Sequence, residues 1–98
     1  MDRFKITESL SEADRGQFEI VMDGTVKAYM KFSRLERVLI LHHTEVLPFL
    51  RGKGAARQLL AHAVEDARKN GLTITAICPY SRKVLEQSEE YRDVYPND

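Results

Sequence analysis

The sequence predicts an α+β fold of mixed α/β character: an antiparallel meander of four strands, then a helix, a parallel fifth strand and a C-terminal helix. Three observations predict it. Residues 17–33 alternate apolar and polar side chains around Asp23-Gly24, a pair typical of a two-residue hairpin turn. Residues 56–67 carry one apolar stripe at helical spacing. A strand, a helix and a strand in succession usually form a right-handed crossover with the two strands parallel.

Four strand segments precede the helix. The first is short (3–9), and the polar residues SLSEADRG that end it are expected to form a connection. The second and third segments (17–22 and 25–33) alternate, which gives each one inward face. The fourth (37–46) is apolar on both faces in its first half, which is typical of a central strand covered on both sides.

The helix is predicted from about residue 53 to residue 70, where Asn70-Gly71 supplies the stop signal. Residues 72–78 form the fifth strand, and Pro79 opens the second helix. The C-terminal ends of parallel strands four and five meet at one sheet edge, where ligands commonly bind in open α/β sheets. His43 and Cys78 lie at that edge.

The composition of the chain narrows the classes of partner and the cellular compartment that we expect. The 98 residues suit one domain over 1–98, which we expect to be a monomer or a weak homodimer. Basic and acidic side chains balance at 15 each, which disfavours nucleic acid as a partner. No apolar run approaches the roughly 20 residues of a membrane span, so no membrane partner is expected. The lone Cys78 excludes an internal disulfide, and with no signal-peptide pattern it favours the cytoplasm.

The turn before the helix, Arg51-Gly52-Lys53-Gly54-Ala55-Ala56, places cations where a helix N-terminus is already positive. Exposed N–H groups there favour an anion, and glycines let the backbone approach it closely. A bound anion would relieve the repulsion, although a solvated basic turn that only connects two elements remains an alternative. Neither the P-loop pattern nor the full dinucleotide fingerprint GxGxxG is present.

This turn resembles the [Q/R]-x-x-G-x-[G/A] pyrophosphate loop of GNAT-type N-acetyltransferases. The segments HHTEVLPFLRGKGAARQLL, NGLTITAICPYSRKVLE and EEYRDVY together resemble the short single-domain branch of that superfamily, over most of residues 16–95. The resemblance implies an acetyl-CoA-dependent N-acetyltransferase that acts on an unidentified amine, with a protein or peptide as one option. The alternative is a non-catalytic module that binds CoA or acyl-CoA, or a subunit that depends on a partner.

The resemblance also implies site residues. The pyrophosphate of coenzyme A would lie on residues 51–56, and the backbone N–H of Val46 or Leu47 would polarise the thioester carbonyl. Tyr80 lies near the start of the second helix, off the position of the usual family tyrosine, and we place it in the coenzyme-binding set. Full-length members have helices between their first two strands that help to bind the amine. SLSEADRG leaves no room for them, so the acceptor site is reduced, open or completed by a partner.

Cys78, His43 and Glu45 are the candidate catalytic residues. Cys78 could accept the acetyl group as a thiolate or protonate the departing thiolate of CoA, and a small buried core residue remains the alternative. His43 is favoured as the base that deprotonates the amine, with Glu45 orienting it or acting itself. A structural histidine and a solvated carboxylate are the alternatives.

Strict alternation would put His42 and His43 on opposite faces of the strand, with His43 on the face of Leu41 and Glu45. His62 is expected at the surface of the helix. The histidines and the cysteine show no metal-ligand spacing, so no metal is predicted.

Overall fold

The computed structural model describes residues 3–96, which form a five-stranded sheet with two α-helices. The strands follow one another in chain order across the sheet; the first four pair antiparallel, and the fourth and fifth pair parallel. The elements are β1 (Ile6–Glu12), β2 (Arg15–Met22), β3 (Thr25–Leu35), β4 (Val38–Val46), α1 (Ala55–Asn70), β5 (Thr73–Ala76) and α2 (Pro79–Gln87). The fold class predicted from the sequence is therefore confirmed. None of the helices in this part of the chain is long and apolar enough to cross a bilayer.

The first hairpin is longer than the sequence predicted. Residues SLSEADRG do not form a loose connection, because β1 continues to Glu12 and β2 begins at Arg15, with a turn at 13–14 between them. Gly16 permits this pairing, since a Cβ there would collide with the carbonyl oxygen of Ser9. After its first residue β1 is exposed throughout, so its extension beyond residue 9 carries no apolar alternation from which it could have been predicted.

The second hairpin matches its prediction. Asp23 and Gly24 have φ angles of 55° and 75°, and a type I′ turn needs positive φ at both of its central residues. The β3 face that follows buries Ala28, Met30 and Phe32, as predicted.

The residues beside this turn depart from the predicted alternation. Met22 and Val26 were expected to face inward, but both are exposed. Lys27 is an extra residue in the ladder between β2 and β3, which shifts the alternation of Val26 by one.

Helix α1 packs the predicted apolar stripe against one face of the sheet. Five members of the stripe are completely buried: Leu59, Leu60, Ala63, Val64 and Ala67. Ala56 is only half-buried, because it lies in the first turn beside a surface cavity. Gly71, in the left-handed region at φ 68°, ends the helix as predicted. His62 is not purely a surface residue, since its ring centroid lies 4.9 Å from that of Phe18.

Only one face of β4 is deeply buried. Leu39 and Leu41 are fully buried in the core with α1, whereas Val38 and Ile40 are half-buried. The expectation that β4 is covered on both sides is therefore wrong.

A β-bulge interrupts β4 at His42. Lys31 of β3 pairs with His43, but the next residue, Phe32, pairs with Leu41, so His42 is an extra residue in the ladder. Because paired residues share a face, His43 lies on the face of exposed Lys31, and Leu41 on the face of buried Phe32. The expectation that His43 shares a face with Leu41 is wrong, since a bulge shifts the alternation by one.

Both histidines of β4 consequently use the same sheet face. His42 Nε2 lies 2.8 Å from the Ser33 hydroxyl, and the His43 ring centroid lies 6.3 Å from that of Tyr29. Tyr29 and Ser33 are four residues apart on β3 and share a face. The prediction that His42 and His43 lie on opposite faces is therefore also wrong, whereas His43 and Glu45 do share a face as predicted.

Candidate active site

A gap opens between β4 and β5 immediately beyond the bulge. The last paired residues are Leu41 and Ala76, and the N–H groups of Ile77 and Cys78 both donate to the Leu41 carbonyl, at 2.8 and 3.0 Å. The chain then turns into α2, while β4 continues to Val46. The last residues of β4 therefore have no pairing partner on the β5 side within the described chain.

One backbone amide at the end of β4 is turned into this gap. The N–H of Leu47 donates to the Lys27 carbonyl at 3.0 Å, so it cannot serve as a donor to a ligand. In an antiparallel ladder the next residue turns its N–H the other way. Val46, paired with Ala28, therefore directs its N–H toward the gap, and Leu47 is excluded as the alternative donor.

The glycine turn takes a shape that only glycines adopt easily. Gly52 and Gly54 lie in the left-handed region, at φ 81° and 84°. The N–H groups of Arg51 and Lys53 donate back to the 3-10 turn Pro48–Leu50, at 3.1 and 3.2 Å. These two residues can therefore offer their cationic side chains to a ligand, but not their amides.

The first turn of α1 presents unpaired donors. Gly54 is the N-cap, and its carbonyl accepts the N–H of Gln58 at 3.0 Å, so the preceding N–H groups of Ala55, Ala56 and Arg57 have no partner inside the helix. No side chain in residues 3–96 caps this end, and its first turn contains no acidic residue. The end of the helix is therefore both positive and rich in donors.

A cavity of about 250 Å³ lies directly over this end of the helix. Its lining joins the turn, the end of β4 and the start of α2: Val46, Leu50, Arg51, Gly52, Gly54, Ala55, Ala56, Arg57 and Tyr80. Most of the predicted coenzyme-binding residues are thus brought together, while Leu47 and Lys53 do not line the cavity.

Arg57 is one of the cations at the start of the helix, but it was left out of the predicted coenzyme-binding set. Helical spacing puts it on the solvent face, and it is exposed, yet it also lines the cavity beside Tyr80. Burial raises the pKa of Tyr80, and the positive charge of Arg57 offsets part of that rise. Its place in the first turn of α1, next to two other cations, was the available signal.

Cys78 lies at the other wall of the gap, immediately before α2. The residue is only 3% exposed, and its sulfur lies 3.3 Å from the hydroxyl oxygen of Thr44 on β4. Burial raises the pKa of the thiol, but the Thr44 hydroxyl, the hydroxyl and N–H of Ser81 and the N–H of Tyr80 lower it by more. The pKa of Cys78 is consequently below its ordinary value, whereas an inert core thiol would be shifted upward.

His43 and Glu45 form a contacting pair at the end of β4. His43 Nε2 lies 2.8 Å from Glu45 Oε1, and both side chains are about half exposed, at 55% and 51%. The pair lies on the exposed face, whereas Thr44, which contacts Cys78, pairs with Met30 of the buried face. The structure therefore brings His43 and Glu45 together but separates them from Cys78 by the thickness of the strand.

The arrangement suits a ligand that carries phosphate groups. Unpaired helix amides, two left-handed glycines and nearby cations are the donor set for phosphate oxygens. A Cβ at Gly52 would meet no protein atom within 4 Å, so the backbone there is open to close approach. Among residues 3–96, no three His, Cys, Asp or Glu side chains cluster in a way that could hold a metal ion.

Comparison of the sequence and the structure with known proteins identifies the family of the chain. The model of the GCN5-related N-acetyl-transferases matches residues 17–94. No curated protein sequence matches the chain. Among solved structures, the NMR structure of a GCN5-like candidate N-acetyltransferase from Staphylococcus aureus is 28% identical with a TM-score of 0.75, covering 100% of this chain and 93% of that one.

Two more distant structures share the fold. A ribosomal-protein-alanine N-acetyltransferase from Brucella melitensis biovar Abortus is 22% identical with a TM-score of 0.67, and the match covers 78% of this chain but only 62% of the Brucella enzyme. An aminoglycoside N-acetyltransferase in complex with CoA is 22% identical with a TM-score of 0.58, covering 78% of this chain and 67% of that one. The family model spans the bulged strand, the glycine turn and Cys78. The chain belongs to the GCN5-related N-acetyltransferase family.

Proposed function

We propose that the chain transfers an acetyl group from acetyl-CoA to an amine. The observation that carries the proposal is the start of α1, where the glycine turn exposes unpaired amides to a cavity that Val46 at the end of β4 and Tyr80 at the start of α2 also line. Acetyl-CoA, when bound, supplies an activated acetyl group on a sulfur that can leave. This chain's residues then have to bind the phosphates, hold the thioester and handle the protons.

The turn would bind the phosphates through its backbone and its cations. The N–H groups of Ala55 and Ala56 are the donors for the pyrophosphate, with Gly52 and Gly54 allowing close approach. Arg51 and Arg57, unfavourable beside an empty helix N-terminus, become favourable once phosphate charge lies between them. This accounts for the unusual placement of cations at a positive helix end.

The N–H of Val46 would hold the thioester carbonyl. It belongs to a strand fixed by its pairing with β3, so its direction does not change as negative charge develops on the oxygen. Donors fixed in advance are worth more than mobile ones, because they need no reorganisation during the reaction.

Cys78 keeps two chemical roles, and its surroundings favour the nucleophile. As a nucleophile, its thiolate forms a bond to the acetyl carbon while the bond to the CoA sulfur breaks, and the released CoA thiolate takes up a proton. As an acid, it gives its own proton to the departing sulfur. A pKa below the ordinary value makes the thiolate easier to form, which supports the first role.

The amine would approach from the exposed face of the sheet. His43, held in position by Glu45, can take its proton as the amine passes around β4 into the gap, since this pair and Cys78 lie on opposite faces of the strand. Only a short turn at 13–14 joins β1 to β2, which supports an acceptor site that is open or completed by a partner. An extended amine-bearing chain such as a peptide suits an open face better than a small amine, and we keep it as the favoured acceptor.

The second candidate is a module, or a partner-dependent subunit, that binds CoA without turnover. The same cavity supports it, and the reduced acceptor side favours it. For either candidate we propose a cytoplasmic monomer or weak homodimer without nucleic acid or a membrane as partner, supported by the single thiol and the balanced charge.

Intact-mass spectrometry after incubation with acetyl-CoA is the deciding experiment, first alone and then with a panel of amines and peptides. We expect bound CoA, an added acetyl group on Cys78 and acetylation of at least one amine. Cys78→Ala should lose the covalent acetyl group while still binding CoA, and Cys78→Ser serves as the packing control. Binding without any acetyl transfer would support the module instead, and no CoA binding would overturn both.

A further inference from the structure

Ser81 carries a buried hydroxyl that neither the fold nor the proposed reaction uses. The residue is completely buried in the first turn of α2, and its Oγ has no hydrogen-bond partner among residues 3–96. Buried polar groups without partners are rare in native proteins, and a catalytic role is one of the few reasons to retain one. A group of the site that can accept a hydrogen bond would give the Ser81 hydroxyl a partner.

The sulfur of Cys78 is the group beside this hydroxyl. Cys78 is the N-cap of α2, and a side chain at an N-cap faces the N–H groups of the second and third helical residues, here Tyr80 and Ser81. From the other side, the Thr44 hydroxyl lies 3.3 Å from the sulfur. Thr44 therefore contacts the sulfur from β4, while Ser81, the third residue of the helix that Cys78 caps, carries its unpartnered hydroxyl on the α2 side.

We propose that Ser81 is a positioning residue that holds Cys78 as a thiolate, its hydroxyl donating to the sulfur once the thiol proton has passed to water. A neutral thiol is a weak acceptor and already contacts Thr44. A thiolate has no proton of its own and accepts from both hydroxyls, through charge-assisted and therefore stronger bonds. Ionisation gives the Ser81 hydroxyl the partner that it lacks in the neutral state.

The charged and titratable groups around the sulfur do not supply the stabilisation of the thiolate that we assign to the Ser81 hydroxyl. Burial raises the pKa of Tyr80, and the Cys78 charge adds to that rise, so Tyr80 stays protonated. The charge of Arg57 acts on Tyr80. The guanidinium of Arg82 donates to the Ala76 carbonyl at 3.3 Å, and the His43–Glu45 pair on β4 lies on the opposite face. A neutral substitution at Ser81 therefore isolates the contribution of the hydroxyl.

The inference rests on the proposed function in one respect: the proposed function is what gives the Cys78 thiolate a role, as the nucleophile that accepts the acetyl group. Ionisation itself is measured without acetyl-CoA, by titrating the ultraviolet absorbance of the thiolate and the rate of alkylation by iodoacetamide against pH. Ser81→Ala should raise the pKa of Cys78 by about one unit, which means roughly tenfold less thiolate at any pH below the pKa. Ser88→Ala is the matched control at the C-terminal end of α2, because its hydroxyl already donates to the Val84 carbonyl at 2.6 Å, at the end of the helix opposite to Cys78.

Thr44→Val tests the same arrangement from β4 and should also raise the pKa of Cys78, which keeps the test valid if Ser81→Ala folds poorly by circular dichroism. A folded Ser81→Ala protein with the wild-type thiol pKa and alkylation profile would overturn the inference. If Ser81→Ala raises the pKa but the wild type forms no acetyl-thiol with acetyl-CoA, the inference stands and the nucleophilic role of Cys78 fails.

Discussion

Replacing Gly54 and Gly71 separately by alanine tests whether the start of α1 is a phosphate site or an ordinary turn. Both glycines lie in the left-handed region at opposite ends of the same helix, with φ and ψ of 84° and 13° for Gly54 and of 68° and 34° for Gly71. The two substitutions therefore impose nearly the same backbone strain. Only Gly54 lines the cavity.

The strain sets the expected loss of stability. A residue with a Cβ costs about 1–2 kcal/mol in this region. In a domain of this size each kcal/mol lowers Tm by roughly 4–8 °C. Both variants should therefore melt at a clearly lower temperature than the wild type, and by similar amounts.

Coenzyme A should distinguish the two variants. A ligand at a hundred times its Kd stabilises the native state by about 2.7 kcal/mol. A tenfold weaker Kd leaves roughly 1.4 kcal/mol at the same concentration. We expect Gly71→Ala to keep the full stabilisation by CoA, and Gly54→Ala to lose half of it or more, because the added methyl group keeps the pyrophosphate from the helix amides.

Differential scanning calorimetry with and without CoA, and titration calorimetry for Kd, provide the measurements. Equal stabilisation of the two variants by CoA would refute the assignment of the phosphates to the glycine turn. Wild-type Tm values for both would refute the argument from backbone strain.

Three further predictions concern the helix, the sheet and the cavity. Leu59→Ala, at a completely buried position, should lower the free energy of unfolding in urea by about 2–5 kcal/mol. The bond to Arg34 lowers the pKa of Glu8 below its value of 4.5 in the unfolded chain, so this pair stabilises the fold above that value and the gain is lost as pH falls through the folded pKa. Arg34→Met should therefore reduce the loss of stability on acidification below about pH 5. Arg57→Glu should weaken CoA binding, and most strongly at low salt.

Each of these has a direct control. Lys83→Glu places the same charge change on an exposed position of α2 outside the cavity lining, and an equal loss of CoA affinity there would assign the effect of Arg57→Glu to net charge alone. If Arg34→Met loses as much stability as the wild type below about pH 5, the ion pair between Arg34 and Glu8 does not stabilise the fold. A loss under 1 kcal/mol in Leu59→Ala would contradict the packing of α1 on the sheet.

The sequence was informative wherever one side of an element is buried. The alternation in β2 and β3, the stripe of α1 and the Asp23-Gly24 turn all follow from burial or from positive φ, and the structure bears them out except at Met22 and Val26, which are exposed beside the turn. The extension of β1 was missed because an exposed edge strand needs no apolar pattern. The reach of Arg57 into the cavity was missed because helical spacing describes where a side chain begins, not where its end lies.

The site itself was predicted in composition but not in layout. The glycine turn, Val46, Tyr80 and Cys78 were named from the sequence, and three of the four lie together around one cavity. The unpaired Ser81 hydroxyl has no signature at all, since a serine in the first turn of a helix is ordinary. Which side of β4 carries His43 could not be predicted either, because a single inserted residue carries no recognisable pattern.

The bulge at His42 acts as a phase shift along β4. Every residue after it, through Val46, is rotated by half a period relative to the strand before it. If His42 instead paired with Lys31 in a regular ladder, each later residue would slip by one position, so His43 would pair with Met30 of the buried face and the amide of Val46 would turn toward β3. The bulge therefore sets the direction of a side chain, a carboxylate and a backbone amide at once, and its loss with all residues retained would alter the site more than most substitutions within it.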